Sequence, residues 1–163
     1  MPADVSPNQI KFEIKKIYLK DVSFESPQSP RIFARQDINP KMDVRIRILH
    51  SRIETGDHFE VVLSVTVTAN LGEKTMFLVE IQQAGIFEIS GVPENELTAV
   101  LEVACPSVLL PFARQAISDL TSKGGFPALL ISPVNFERLY QSKLNQEATE
   151  TNVRAGDTTE ATA

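Results

Sequence analysis

The chain contains no tryptophan, one cysteine, two histidines and two tyrosines among its 163 residues. A single cysteine excludes an intrachain disulfide and a cysteine-rich zinc site, and it fits a reducing compartment. Long apolar runs are missing too. No stretch reads as a membrane span, and the N-terminal MPADVSPNQIKFEIKK lacks the apolar core of a signal peptide, so a cytoplasmic location without direct membrane insertion is expected. Nor is there a surplus of positive charge. With 16 Lys and Arg against 21 Asp and Glu, the net charge of −5 does not supply the basic face with which a nonspecific nucleic-acid binder displaces counterions. An acidic balance favours a basic partner or simple solubility. The remaining composition, 42% hydrophobic and 23% charged, is that of one folded globular domain.

Alternation of apolar and polar residues marks four strands. In FEVVLSVTVTA, Phe59, Val61, Leu63, Val65 and Val67 alternate with mostly polar neighbours, and the turn NLGEK leads into TMFLVEIQQAGIFEI, which predicts an antiparallel hairpin. On the returning strand Phe77, Val79 and Ile81 oppose Leu78, Glu80 and Gln82. KMDVRIRIL alternates Met42, Val44, Ile46 and Ile48 with charged residues. The first strand is irregular: Phe12 and Ile14 occupy even positions, Ile17 and Leu19 odd ones, and Val22 and Phe24 even ones again. A bulge, or partners on both faces, accounts for such switching. Within KIYLKDVSFESP, strict alternation sets Tyr18, Val22 and Phe24 against Asp21, Ser23 and Glu25, which leaves an acidic edge on an otherwise apolar strand.

After Gly91 the period becomes helical. PENELTAVLEVACP predicts a short helix ending before Pro106, and SVLLPFARQAISDLTSKGG a longer one stopped by Gly124 and Gly125. In SPVNFERLYQSKL, Ser132 is a candidate cap, Pro133 a candidate first position, and Phe136, Leu139, Tyr140 and Leu144 form a stripe. The expected organisation is a flexible lead-in over 1–10, a domain over 11–144 and a disordered acidic tail over 145–163. In that tail Val153 is the one large apolar residue, and four acids against Arg154 leave a charge of −3.

Catalytic constellations are thin. Cys105 stands in an apolar stretch, where a packed thiol is the expectation and a nucleophile activated by His50 or His58 the rival. Nothing at ligand spacing turns the two histidines into a metal site. The GEKT of residues 72–75 lacks the upstream glycine of a phosphate-binding loop. More suggestive is GGFPALLISPVNF, a connecting segment whose Phe126, Leu129, Leu130 and Ile131 must pack on the sheet or line an apolar groove.

Four stretches in unbroken order, FEIKKIYLKDVSFESP, VTVTANLGEKTMFLVEIQQAGIF, CPSVLLPFARQAISDLTSKGGFP and SPVNFERLY, resemble the bacterial protein-export chaperone family SecB over residues 12–144. The resemblance implies an α+β subunit with a four-stranded antiparallel sheet and two main helices on one side, assembled as a homotetramer, a dimer of dimers. It implies a chaperone without enzymatic activity or cofactor that holds unfolded precursor proteins in apolar grooves and delivers them to the motor ATPase SecA. Carried over by position, it places SecA docking on Asp21, Glu25, Leu78 and Glu80. The client groove falls on Phe33, Ile38, Phe126, Leu129, Phe136 and Tyr140, and tetramer assembly on Phe77, Val79, Ile81 and Gln83. Ile38 departs from the family, which commonly has tryptophan there, and implies a less aromatic groove. The acidic tail matches no particular family contact. A related chaperone dedicated to an antitoxin is the alternative function within the same fold.

Overall fold

A computed structural model describes residues 9–157. Strands β1 (Lys11–Glu25), β2 (Lys41–Arg52), β3 (His58–Leu71) and β4 (Lys74–Ser90) form one antiparallel sheet in the order β1-β4-β3-β2. The central hairpin turns at Gly72, whose φ of 61° is the left-handed conformation that glycine adopts without steric cost. Its register pairs Val65 with Ile81 and Val67 with Val79. Alternation therefore sends every predicted apolar residue of β3 and β4 to one face, where Leu63, Phe77, Ile81 and Phe87 are almost wholly buried.

The phase switching of β1 resolves into two bulges, one between Ile14 and Lys16 and one between Leu19 and Asp21. Each inserts one extra residue, and each inserted residue is a lysine. The consequence is that Phe12, Ile14, Ile17, Leu19, Val22 and Phe24 all stand opposite apolar-face positions of β4. Tyr18 does not join Val22 and Phe24, as strict alternation predicts. The second bulge puts it opposite Ala84, on the polar face with Asp21, and its hydroxyl donates to Glu60.

Helix α1 (Glu94–Ala99) does not end before Pro106. It runs through a π-helical turn (Val100–Ala104) into α2 (Cys105–Lys123), making one continuous rod. Pro106 offers no N–H, and its ring crowds the carbonyl four residues back; the wider turn before it, in which Cys105 N–H donates to the Val100 carbonyl, relieves that clash. The Glu94–Lys123 run is long and apolar enough to cross a membrane by length and composition, contrary to the sequence reading. Its apolar content serves the core instead: Leu109, Ala113 and Ile117 are completely buried in the core cluster. Gly85 permits the close approach, because a Cβ there would lie 2.8 Å from the Phe87 ring and 3.0 Å from Leu109.

An extended segment returns from α2 to α3 (Phe136–Asp157). Asn135, not Ser132, caps α3: its Oδ1 accepts from Arg138 N–H at 3.0 Å. The predicted disordered tail is helical as far as Asp157, with residues 145–154 exposed, because nothing between Asn145 and Ala155 breaks a helix already begun. Residues 1–8 of the lead-in and 158–163 of the tail lie outside the described residues.

Candidate functional site

At the hairpin end of the sheet, on the apolar face, an open cavity of about 340 Å³ is lined by Ile38, Pro40, Met42, Met76, Phe77 and the segment Phe126–Leu129. Its head is an aromatic cluster centred on Phe126, whose ring lies 5.0 Å from Phe77, 5.4 Å from Phe33 and 6.4 Å from Phe24. The walls are nearly free of polar groups, so what the groove offers a ligand is non-directional burial rather than a pattern of hydrogen bonds.

Phe126 and Leu129 are held in place by the end of α2. The Thr121 hydroxyl, fully buried, donates to the Ile117 carbonyl at 3.0 Å and accepts from Leu129 N–H at 3.0 Å, while Phe126 N–H donates to the Thr121 carbonyl at 3.1 Å. One threonine thus satisfies the backbone of an apolar loop that would otherwise carry orphan amides. Gly124 makes room for the cluster, since a Cβ there would overlap the Phe24 ring. The sequence reading missed Thr121, Met76 and Pro40. A buried threonine near a helix end, followed by Gly-Gly and an apolar loop, was the available signal.

Four of the six groove candidates, Phe33, Ile38, Phe126 and Leu129, meet at this end of the molecule. The other two do not. Phe136 is 3% exposed and belongs to the core beneath the start of α3. Tyr140 lines a different cleft of about 380 Å³, with Ile46, Ile48, Leu139 and Lys143. Helix α3 packs on the π turn, and Tyr140 on it faces this cleft rather than the Phe126 groove. There Glu102, buried at 7% side-chain exposure, accepts from Lys143 Nζ at 3.0 Å and lies 3.2 Å from His50 Nε2, tying α3 and β2 to the helical rod.

The opposite face of the sheet is polar. Register sets Asp21 against Gln82, Ser23 against Glu80 and Glu25 against Leu78, so all four docking candidates form one contiguous patch at the β1–β4 seam. No cation among the described residues pairs with Asp21, Glu25 or Glu80 in an ion pair. The far end of the same face differs. Lys15, at the first bulge, approaches Glu88 to 2.7 Å and Lys11 to 2.9 Å; these bonds, Lys15 first, hold the Glu88 carboxyl down to about 2. Lys20, at the second bulge, bonds Glu60 at 2.7 Å and with the Tyr18 hydroxyl lowers that carboxyl as well. Desolvation, then the bond to Glu60, raises Tyr18 to about 12.

The four assembly candidates face the helices, not solvent: Phe77, Val79, Ile81 and Gln83 are buried within the protomer. Gln83 is satisfied there by donating to the Tyr18 carbonyl at 3.1 Å. Cys105 is completely buried, and burial pushes its thiol up to about 12, the direction opposite to that of an activated nucleophile.

The family description "Preprotein translocase subunit SecB" matches residues 5–147. A protein-export protein SecB from Nitrosococcus oceani is 50% identical over 139 residues, covering 85% of this chain and 84% of its own length. That of Hydrogenovibrio crunogenus is 48% identical over 145 residues, covering 88% and 96%. Among solved structures, a Mycobacterium tuberculosis SecB-like chaperone in complex with an antitoxin peptide aligns with a TM-score of 0.64 at 20% identity, covering 76% of this chain and 90% of that one. At that identity the likeness concerns the fold.

Proposed function

The chain belongs to the SecB family of protein-export chaperones, and from that premise we propose that its Phe126 groove holds unfolded precursor proteins while its acidic sheet face delivers them to SecA. The observation that carries this reading is the separation of the two surfaces. They lie on opposite faces of the same strands, so a client in the groove leaves Asp21, Glu25 and Glu80 free for a basic partner. Burial at about 25 cal/mol per Å² over a few hundred Å² yields several kcal/mol before ordering costs, which suits weak and sequence-tolerant holding.

The protomer works as a homotetramer, a dimer of dimers, in the cytoplasm. Its support is the apolar face of β1, where Phe12, Ile14, Leu19 and Val22 stay 40–49% exposed on a strand whose outer edge is unpaired. A tetramer covers such an edge, and several grooves on one assembly raise avidity for a long client. Phe77, Val79, Ile81 and Gln83 influence assembly by shaping the protomer core that β1 rests on. The chain itself performs no chemistry; the ATPase is the partner.

Native-mass light scattering with one precursor in unfolded and folded form tests the reading. A tetramer that takes up the unfolded form alone is expected. A monomer, or equal uptake of both forms, contradicts it.

A further inference from the structure

The polar face of the sheet changes sign across its strands. Register lines its side chains up in rows: Ser23, Glu80, Thr66 and Arg45 form one row, and Asp21, Gln82, Ser64 and Arg47 the next. In the half nearer the hairpin turn the acids Asp21, Glu25 and Glu80 therefore stand on β1 and β4, and the exposed cations Lys41, Arg45 and Arg47 on β2. Between them β3 contributes Ser64, Thr66 and Thr68, none of them charged. Asp43 is the one acid in the β2 column and lies 3.2 Å from Arg45 Nε. The column stays net positive, because Lys41 and Arg47 join no ion pair among the described residues.

An open hollow of about 550 Å³ joins the two signs. Leu78 and Glu80 form one wall and Lys41, Asp43 and Arg45 the other, with Thr66 and Thr68 between. Two strand spacings, about 10 Å, separate Glu80 from Arg45, and three, about 14 Å, separate Asp21 from Arg47. About 10 Å is one Debye length at 0.1 M salt, so a cationic group seated over Glu80 is at the limit of the arginines' reach. One that slides to Thr66 halves that distance and meets them at close quarters.

We infer that Arg45 and Arg47, with Lys41, determine the specificity of docking: they repel a basic partner from the β2 half of the face and hold it along the β1–β4 seam. The inference rests on the acidic patch being the surface that receives SecA. The acids by themselves fix where a basic segment binds but not how far it slides, since the neutral β3 column beside them offers no barrier. The cations supply that barrier, and like charges set against each other are a means by which interfaces reject wrong registers.

The test titrates SecA into the full-length chaperone by calorimetry at low and moderate salt. R45E/R47E is expected to bind SecA about fivefold more tightly than the native protein, with R45Q/R47Q between the two and the gain shrinking as salt rises. A photoreactive residue at Thr66 supplies a readout that a change in stability would not move: it captures SecA in the R45E/R47E background and little in the native one. Unchanged or weaker binding by R45E/R47E overturns the inference, the weaker case because the partner would then be bringing acids to the column. Equal capture from Thr66 in both backgrounds overturns it as well. If the native protein does not bind SecA, or binds it undiminished with Asp21→Ala and Glu80→Ala, the docking reading itself fails and the inference with it.

Discussion

The two faces of the sheet are cut from the same four strands, yet one is apolar to its edges and the other is a mosaic of charge. The difference begins with alternation and is completed by the bulges at Lys15 and Lys20. Without them, Ile17 and Leu19 would face away from Phe12, Ile14, Val22 and Phe24. With them, the strand gives six apolar side chains to one side and sends its lysines to neutralise Glu60 and Glu88 on the other. At the other end Asp21, Glu25 and Glu80 keep their charge free of ion pairs among the described residues. One surface attracts by burial and ignores sequence, the other attracts by sign and sets orientation; the physics assigns them different partners.

Breaking the apolar face should have the largest effect. Phe136→Ala empties a core position and is expected to cost about 3–5 kcal/mol of stability, read by denaturant unfolding, with no selective loss of client affinity. Phe126→Ala should do the reverse, lowering client affinity about tenfold or more in an assembled protein, as titration with an unfolded precursor will measure. If Phe136→Ala weakened binding without destabilising the fold, the separation of core from groove would fail. Thr121→Val tests the support of the groove: it strands the Leu129 amide and is expected to cost about 1–3 kcal/mol by thermal or chemical unfolding, together with weaker client binding.

On the polar face, Asp21→Ala with Glu80→Ala should weaken SecA binding about fivefold at low salt and less at high salt, leaving client binding unchanged. Equal loss of both activities would indicate damage to the sheet. The smallest effect concerns acid. The Glu88 carboxyl is held below its ordinary value, so its contribution to stability is complete above about 4.5 and is lost as pH falls towards about 2. Between pH 5 and pH 2.5 the native protein should therefore lose slightly more thermal stability than Glu88→Gln. Screening by solvent keeps the difference to a few degrees or less.

Alternation made the sheet and both of its faces legible in the sequence, because a period of two is a local property. Bulge positions were not, since a phase change in β1 has several solutions until β4 fixes the register. The helix continued through Pro106 because a π turn absorbs what proline removes, and no sequence period reports that turn. That Asp21, Glu25, Leu78 and Glu80 share one face follows from alternation and pairing, whereas their docking role was implied by the family resemblance alone. The groove was legible only in part: Phe33 and Phe126 meet through the path of the return segment, and Tyr140, on a helix that packs on the π turn, lines another cleft. Such long-range docking leaves no mark on local periodicity.

The most direct measurement of the division between faces is site-specific photocrosslinking from two positions in the presence of both an unfolded precursor and SecA. A photoreactive residue at Ala128, on the groove wall, is predicted to capture precursor. One at Ser23, between Asp21 and Glu25, is predicted to capture SecA. Precursor captured chiefly from Ser23, or SecA chiefly from Ala128, would contradict the account.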